Sequence, residues 1–343
     1  MRLGIVGLDG AGKKTVFDAL NQTKSEVTGK GDGRLATINV PDERIDALSK
    51  IYNPKKTIYA QVSFWLPEVV RKDANKDPNL WQPVRDCDAL LHVVRNFRQY
   101  GTEVATPAQD IRKLEQEMVF SDFVTVEKRL ERMEAEQKRG KKPNEEEQVL
   151  LLRAKELLEN EIPLRNDAEI STSPLLRGFA FISAKPVLIL CNNEDEDEDE
   201  TFPAMEISAD VSCKVIRAKL EEEISQMTEE EAAVFLDEFG IAESAVGRIL
   251  HAAYELLGRM SFFTVGEDEV RAWTIPVNTM AVDAAEAIHS DIKKGFIRAE
   301  VLAYDDLMAA GSYANARTKG TVRLEGKTYE VQDGDIINFR FNV

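Results

Sequence analysis

The chain has 343 residues, enough to bury a full core and to form two or three domains, and its 43% apolar and 31% charged content is that of an ordinary globular protein. A net charge of −17 works against generic nucleic-acid binding, which depends on neutralising phosphates, so any RNA contact needs a local basic patch. No apolar run reaches membrane-spanning length and no secretory pattern opens the chain, while the three cysteines and three histidines are too scattered for a disulfide framework or a zinc cluster. A cytoplasmic protein without a membrane partner is expected.

Leu3 to Val6 reads as a short buried strand. It runs into Gly7-Leu8-Asp9-Gly10-Ala11-Gly12-Lys13-Lys14, and Thr15 to Leu20 continues with helical spacing. Strand, glycine-rich turn and helix in that order make an anion site, because loop amides and the helix dipole converge on one point. The stretch matches G-x-x-x-x-G-K, in which the lysine grips phosphate. Lys14, however, stands where that pattern carries the hydroxyl that holds Mg²⁺. Gly7, Asp9, Gly10, Ala11, Gly12, Lys13, Lys14 and Thr15 are therefore the expected phosphate-binding residues.

Residues up to about 105 alternate short apolar runs with polar helical stretches, as in α/β domains, with Asp88 to Val94 a buried strand. Further on, Val126, Leu130 and Met133 repeat at helical spacing, as do Leu150, Ala154 and Leu157 beyond a polar break at Gly140 to Asn144. The pattern predicts an antiparallel helical hairpin whose apolar stripe is its own packing seam. Lys138-Arg139-Gly140-Lys141-Lys142 at the break is a candidate RNA contact, a solvated loop being the plainer reading. Pro186 to Cys191 restores the strand pattern, followed by Asn192-Asn193 and the acidic run Glu194 to Glu200. Met205 to Asp210 reads as another strand end, and Lys214 to Leu257 favours helix. The last eighty or so residues form a separate α+β unit. In it Arg271 to Ile275 is a strand, Ala281 to Ile292 a helix capped by Asn278 or Thr279, and Phe296 to Tyr304 a strand. Asp333-Gly334-Asp335 is a turn before the terminal strand Ile336 to Phe341.

Over nearly its whole length the chain resembles the YchF (Obg-like ATPase) family of translation-factor P-loop NTPases. The likeness rests on Gly4-Ile5-Val6-Gly7 with its loop, on Thr37-Ile38 and Val40-Pro41-Asp42-Glu43-Arg44, and on Asp88-Ala89-Leu90-Leu91-His92-Val93-Val94-Arg95. It extends through Val126-Glu127-Lys128-Arg129 to Val270-Arg271-Ala272-Trp273-Thr274-Ile275, Lys294-Gly295-Phe296-Ile297 and Asp333-Gly334-Asp335-Ile336-Ile337. The resemblance implies an α/β, Ras-like P-loop domain over 1–107 and 170–259, a helical coiled-coil insert over 108–169, and an α+β β-grasp (TGS) domain over 260–343. It also implies binding of GTP/GDP or ATP/ADP and association with the ribosome or translation machinery.

The departures from the family fall on its chemistry. Lys14 replaces the magnesium-binding serine, and Asp9 replaces a proline. A carboxylate there faces the terminal phosphates, at a cost of about 1–4 kcal/mol for like charges roughly 4 Å apart at effective dielectrics of about 80 to 20, which pairing with Lys14 would offset in part. The family's Asp-x-Ala-Gly motif falls on Leu66-Pro67-Glu68-Val69, without its aspartate or glycine. Thr37, after Gly31-Asp32-Gly33, matches the switch I threonine. No catalytic residue and no metal ligand is assigned, and a bound Mg²⁺ is not expected. The Asn-x-x-Glu motif falls on Asn192-Asn193-Glu194-Asp195, so that Asn192 braces the loop and Asp195 addresses the base, a carboxylate suiting the N1–H and amine of guanine. Ser208-Ala209 matches the family's base-packing loop, with Asp210 in place of lysine. These features imply a nucleotide-binding regulatory module with impaired hydrolysis. The alternatives are an active NTPase and a nucleotide-free scaffold.

Overall fold

The computed structural model describes residues 1–21, 33–68, 81–98, 104–195, 211–238 and 244–342. In chain order the elements begin with β1 (Arg2–Val6), α1 (Lys13–Leu20), β2 (Gly33–Asn39), α2 (Glu43–Tyr52), β3 (Lys56–Ile58), β4 (Gln61–Pro67) and β5 (Ala89–Asn96). Then come α3 (Pro107–Lys138), α4 (Glu145–Glu159), α5 (Ala168–Thr172), β6 (Val187–Asn193), β7 (Ser212–Ile216), α6 (Ala218–Ile224), α7 (Glu229–Glu238) and α8 (Ala245–Leu256). The remainder is β8 (Arg259–Thr264), β9 (Glu269–Pro276), α9 (Ala281–Ile288), α10 (Ser290–Lys294), β10 (Phe296–Ala303), α11 (Tyr304–Ala310), α12 (Tyr313–Lys319), β11 (Arg323–Glu325) and β12 (Asp335–Phe341). The chain divides into two compact units, Met1–Ile38 with Ser63–Ile249, and Asn39–Val62 with Leu250–Val343.

The first unit is built on a six-stranded sheet of order β2-β4-β1-β5-β6-β7. The pairings β4-β1, β1-β5, β5-β6 and β6-β7 are all parallel. Its central strands read as unbroken apolar runs because helices cover both faces, and β5 and β6 are buried from Ala89 to Val94 and from Val187 to Asn193. On one face Leu114 and Met118 of α3 pack with Val6, Leu90, Val94 and Ile189. Elsewhere in the unit α1 lies against α6.

The predicted hairpin forms between β5 and β6 as α3 and α4. Its seam joins Val126 and Met133 to Leu151, Ala154 and Leu158, with Leu130, Leu150 and Leu157 only partly buried. In α4 the expected Ala154 lies in the seam, whereas Leu151 and Leu158 take the places expected for Leu150 and Leu157. Arg129 grips both carboxylate oxygens of Glu147, at 2.7 and 2.9 Å, across the seam. Nearer the sheet, the fully buried Asp122 accepts hydrogen bonds from Ile182 N (3.0 Å), Ser183 N (2.6 Å) and Ser183 Oγ (2.7 Å). Those bonds satisfy the carboxylate and tie α3 to the segment entering β6.

The second unit carries a sheet of order β11-β10-β12-β8-β9-β3. Its core joins Phe262, Ile275, Phe296, Val301, Ile337 and Phe339 to the alanine face of α9 at Ala281, Ala284 and Ala285. The predicted helix over 281–292 is interrupted: His289 adopts extended geometry (φ −165°, ψ 140°) and its Nδ1 caps α10. The expected caps of α9 are displaced as well. Met280 is the capping residue, Asn278 takes a left-handed turn (φ 61°), and Thr279 Oγ1 donates to Pro276 O at 2.6 Å. Residues 39–62 enter this unit through β3, which pairs with β9 from Lys56↔Glu269 to Ile58↔Arg271. Arg44 anchors them further, donating to Asp42 and, at 2.7 Å, to Asp333, whose other oxygen accepts Ser261 N. The predicted strand end at Met205 to Asp210 lies outside the described residues. β7, for which no strand was expected, forms the sheet edge just after it.

Candidate phosphate-binding site

β1 ends at Val6, and the chain turns through Gly7 to Gly12 before α1 starts at Lys13. Two glycines make that turn possible. Gly7 has φ 151° and a Cβ there would sit 2.4 Å from Val93 O of β5; Gly12 has φ 90° and a Cβ would sit 2.4 Å from Asn192 Nδ2. Gly7→Ala therefore meets backbone that cannot yield. Strain of about 1–3 kcal/mol is expected to appear as a lowered urea midpoint. An unchanged midpoint would mean the loop adopts another path.

Lys13 curls back over the loop. Its Nζ donates to Gly7 O at 2.6 Å and Leu8 O at 2.9 Å. Burial pushes its pKa below the usual lysine value, with the charge of Asp9 acting in the opposite sense. Asp9 lies 4.0 Å from that ammonium and its side chain is 93% exposed. The ion pair is therefore screened, and the repulsion Asp9 presents to a phosphate falls at the watery end of the range, about 1 kcal/mol. Asp9 pairs with Lys13 and not with Lys14. Lys14 is exposed on the first turn of α1 and has no carboxylate partner among the described residues. Ala11 is buried, Gly10 exposed and Thr15 half-buried.

Asn192, at the end of β6, fastens the loop from behind. Its Nδ2 donates to Ala11 O at 3.2 Å, and its Oδ1 accepts Ala218 N at 3.1 Å, joining the loop to the start of α6. Asp195 sits beside it, with Oδ1 accepting Leu220 N at 3.2 Å, a bond to α6 that sequence reading did not show. Ser208, Ala209 and Asp210 lie outside the described residues. Leu66 occupies the loop end of β4, since Trp65 pairs with Gly4, and it is 8% exposed, a core side chain with no donor atom. Glu68 beyond it is exposed and Val69 is outside the described residues.

Thr37 is not brought to this site. It lies in β2 with its hydroxyl 2.9 Å from Ser63 Oγ, and Ser63 pairs with Arg2 at the start of β1. Gly7 is five residues further along, about 16 Å at strand rise. β2 runs antiparallel to β4, as the approach of Gly33 to Leu66 O shows, so it carries Thr37 away from the loop.

A mainly parallel sheet whose first strand feeds a glycine turn, with a lysine folded over that turn and a helix opening beneath it, defines a P-loop nucleotide-binding fold. Along 99% of its length the chain is 39% identical to a Bacillus subtilis protein named ribosome-binding ATPase YchF, covering 99% of that protein. It is 34% identical over its whole length to the Pasteurella multocida protein of the same name, again covering 99% of it. A solved structure of the Schizosaccharomyces pombe YchF GTPase matches with a TM-score of 0.82 at 27% identity, covering 99% of this chain and 97% of that one. A GTP-binding protein from Pyrococcus horikoshii shares the fold, with a TM-score of 0.58 at 18% identity. Residues 259–342 match the family model YchF-GTPase_C, described as a protein of unknown function (DUF933). The chain belongs to the YchF family.

Proposed function

We propose that this protein binds a purine nucleotide, GTP/GDP or ATP/ADP, hydrolyses it slowly or not at all, and acts as a regulatory module associated with the ribosome in the cytoplasm. The observation that carries the reading is the contrast at one loop. Lys13 and the Gly7 to Gly12 turn form a closed phosphate cradle braced by Asn192, whereas the positions that would serve magnesium hold an exposed ammonium at Lys14 and a buried hydrocarbon at Leu66. Residues of those types do not fit a magnesium ion, and no step is assigned through one. In the occupied site Lys13 exchanges its two carbonyl bonds for phosphate oxygens, Asn192 keeps the loop in register, and Asp195 offers its second oxygen to the base. The domain roles are 1–107 with 170–259 for nucleotide, except that residues 39–62 and 250–259 pack in the second compact unit, 108–169 as the arm, and 260–343 as a TGS-like domain.

A second reading, an active NTPase, is favoured by the names of the relatives, which are called ATPase and GTPase. Titration of fluorescent GDP, GTP and ATP with and without Mg²⁺ separates the readings. The expected result is binding that barely depends on magnesium, with little phosphate release. Robust magnesium-dependent turnover would establish the second reading, and no binding at millimolar nucleotide would leave a scaffold.

A further inference from the structure

Helix α4 carries apolar residues on two opposite faces, and only one of those faces is covered by the chain itself. Leu151, Ala154 and Leu158 form the seam with α3. Val149 and Leu152 lie about half a turn round the helix from that seam, at roughly 3.6 residues per turn, and are 65% and 52% exposed. They share a stripe with Glu145, Glu156 and Glu159, the five residues following one another at intervals of 4, 3, 4 and 3. That is the spacing of a helix-packing seam, yet all five residues are exposed.

The charges on this face are unbalanced. The two basic residues of α4 are already engaged, Arg153 with Asp167 at 2.5 Å and Glu169 at 2.6 Å, and Lys155 with Glu127 at 3.2 Å and Glu159 at 3.7 Å. Glu147 is taken by Arg129 across the seam. Glu145 and Glu156 have no ion pair among the described residues and bracket the apolar pair at either end.

A second copy of the chain is a poor occupant. Two-fold antiparallel pairing that sets Val149 on Leu152 also sets Glu145 on Glu156, and parallel pairing sets each carboxylate on its twin. Like charges so placed repel. A phosphate polymer or an anionic membrane is repelled for the same reason. The complementary occupant is a helix with two apolar residues on one face and a lysine or arginine about one turn beyond each.

We propose that this face of α4 docks a basic amphipathic helix of a partner protein. Val149 and Leu152 supply the apolar contact, and Glu145 and Glu156 fix the register of the docked helix.

The test uses the full chain and a fluorescein-labelled helical peptide of about 18 residues, with one leucine stripe bordered by lysines, at roughly 50 mM salt. Binding with a Kd of about 10–100 µM is expected for so small a face. Because the substituted side chains are exposed, Val149→Gln/Leu152→Gln and Glu156→Lys are expected to unfold at the unaltered protein's urea midpoint. The double variant is expected to bind the peptide about 10-fold more weakly, and Glu156→Lys about 3- to 10-fold more weakly. A control peptide with alanine in place of the stripe leucines is expected to lose about 10-fold against the unaltered protein. Equal affinity of the three proteins would overturn the proposal. Equal affinity of the two peptides would do the same, by reducing the attraction to net charge. A lowered midpoint in the double variant would also reject it, since the two side chains would then pack within the chain. Sedimentation equilibrium decides the remaining occupant. All three proteins are expected to sediment alike, and dimers that the double variant alone loses would make this face an interface between copies.

Discussion

Lys13→Ala is expected to weaken nucleotide binding about 10- to 100-fold, the equivalent of losing one charge-assisted hydrogen-bond anchor worth about 1.5–3 kcal/mol. The lysine is poised for that role because its Nζ already lies over the loop, bonded to Gly7 O and Leu8 O. Asp9, exposed and 4.0 Å away, competes only weakly. Fluorescent-nucleotide titration of the full chain measures the loss. Its urea midpoint serves as the control, since removing the ammonium also frees two carbonyls. Unchanged affinity with an unchanged midpoint would place the phosphates elsewhere. Lys14→Ser offers the complementary comparison: it is expected to raise the magnesium dependence of binding more than turnover, because Leu66 still brings no donor atom to the end of β4.

The second large effect concerns acid. His92 lies in the middle of β5, paired with Val6 of β1 and Ile189 of β6, and is 2% exposed. Its Nε2 has no hydrogen-bond partner among the described residues. Burial lowers its pKa to about 3, and the charges of Arg165 and Lys13 press it the same way. In the unfolded chain the imidazole takes its proton near the ordinary value of about 6.5. Between those values the unfolded state binds the extra proton, so stability falls as pH falls, by about 1.4 kcal/mol per unit. From about pH 7.5 to about pH 5 the unaltered protein is therefore expected to lose about 2 kcal/mol more than His92→Leu, read from urea midpoints at the two pH values. The same loss in both proteins would refute the assignment of a neutral, buried His92.

Much of the first unit was legible in the sequence because its central strands are buried on both faces. That burial demands continuous apolar runs, and β1, β5 and β6 announce themselves accordingly. The phosphate loop was legible for a related reason: the turn needs glycine where Gly7 and Gly12 have positive φ, and few residues can substitute. The arm was legible as a hairpin but not in its register, since helical spacing alone did not separate Leu150 and Leu157 from Leu151 and Leu158. β3, at three residues, carries too little pattern to be seen. Thr37 was matched to the switch threonine through the family resemblance, which carries order along the chain but not the path of β2, and that strand holds its hydroxyl at Ser63, away from the loop.

The sequence by itself determined the local chemistry: strand, glycine turn, lysine and helix in uninterrupted order, with an ammonium where a hydroxyl would serve magnesium. Such features depend on residues a few positions apart, and covalent order is enough to place them. Only the tertiary structure decided which distant groups complete the site. Asn192 reaches Ala11 O across 181 positions, Thr37 is carried to the far end of the sheet, and Lys56 to Ile58 pair with β9, more than 200 positions away. Those outcomes follow from which strands packing sets side by side, and hydrogen-bond register across a sheet is not written in the spacing along any one of them.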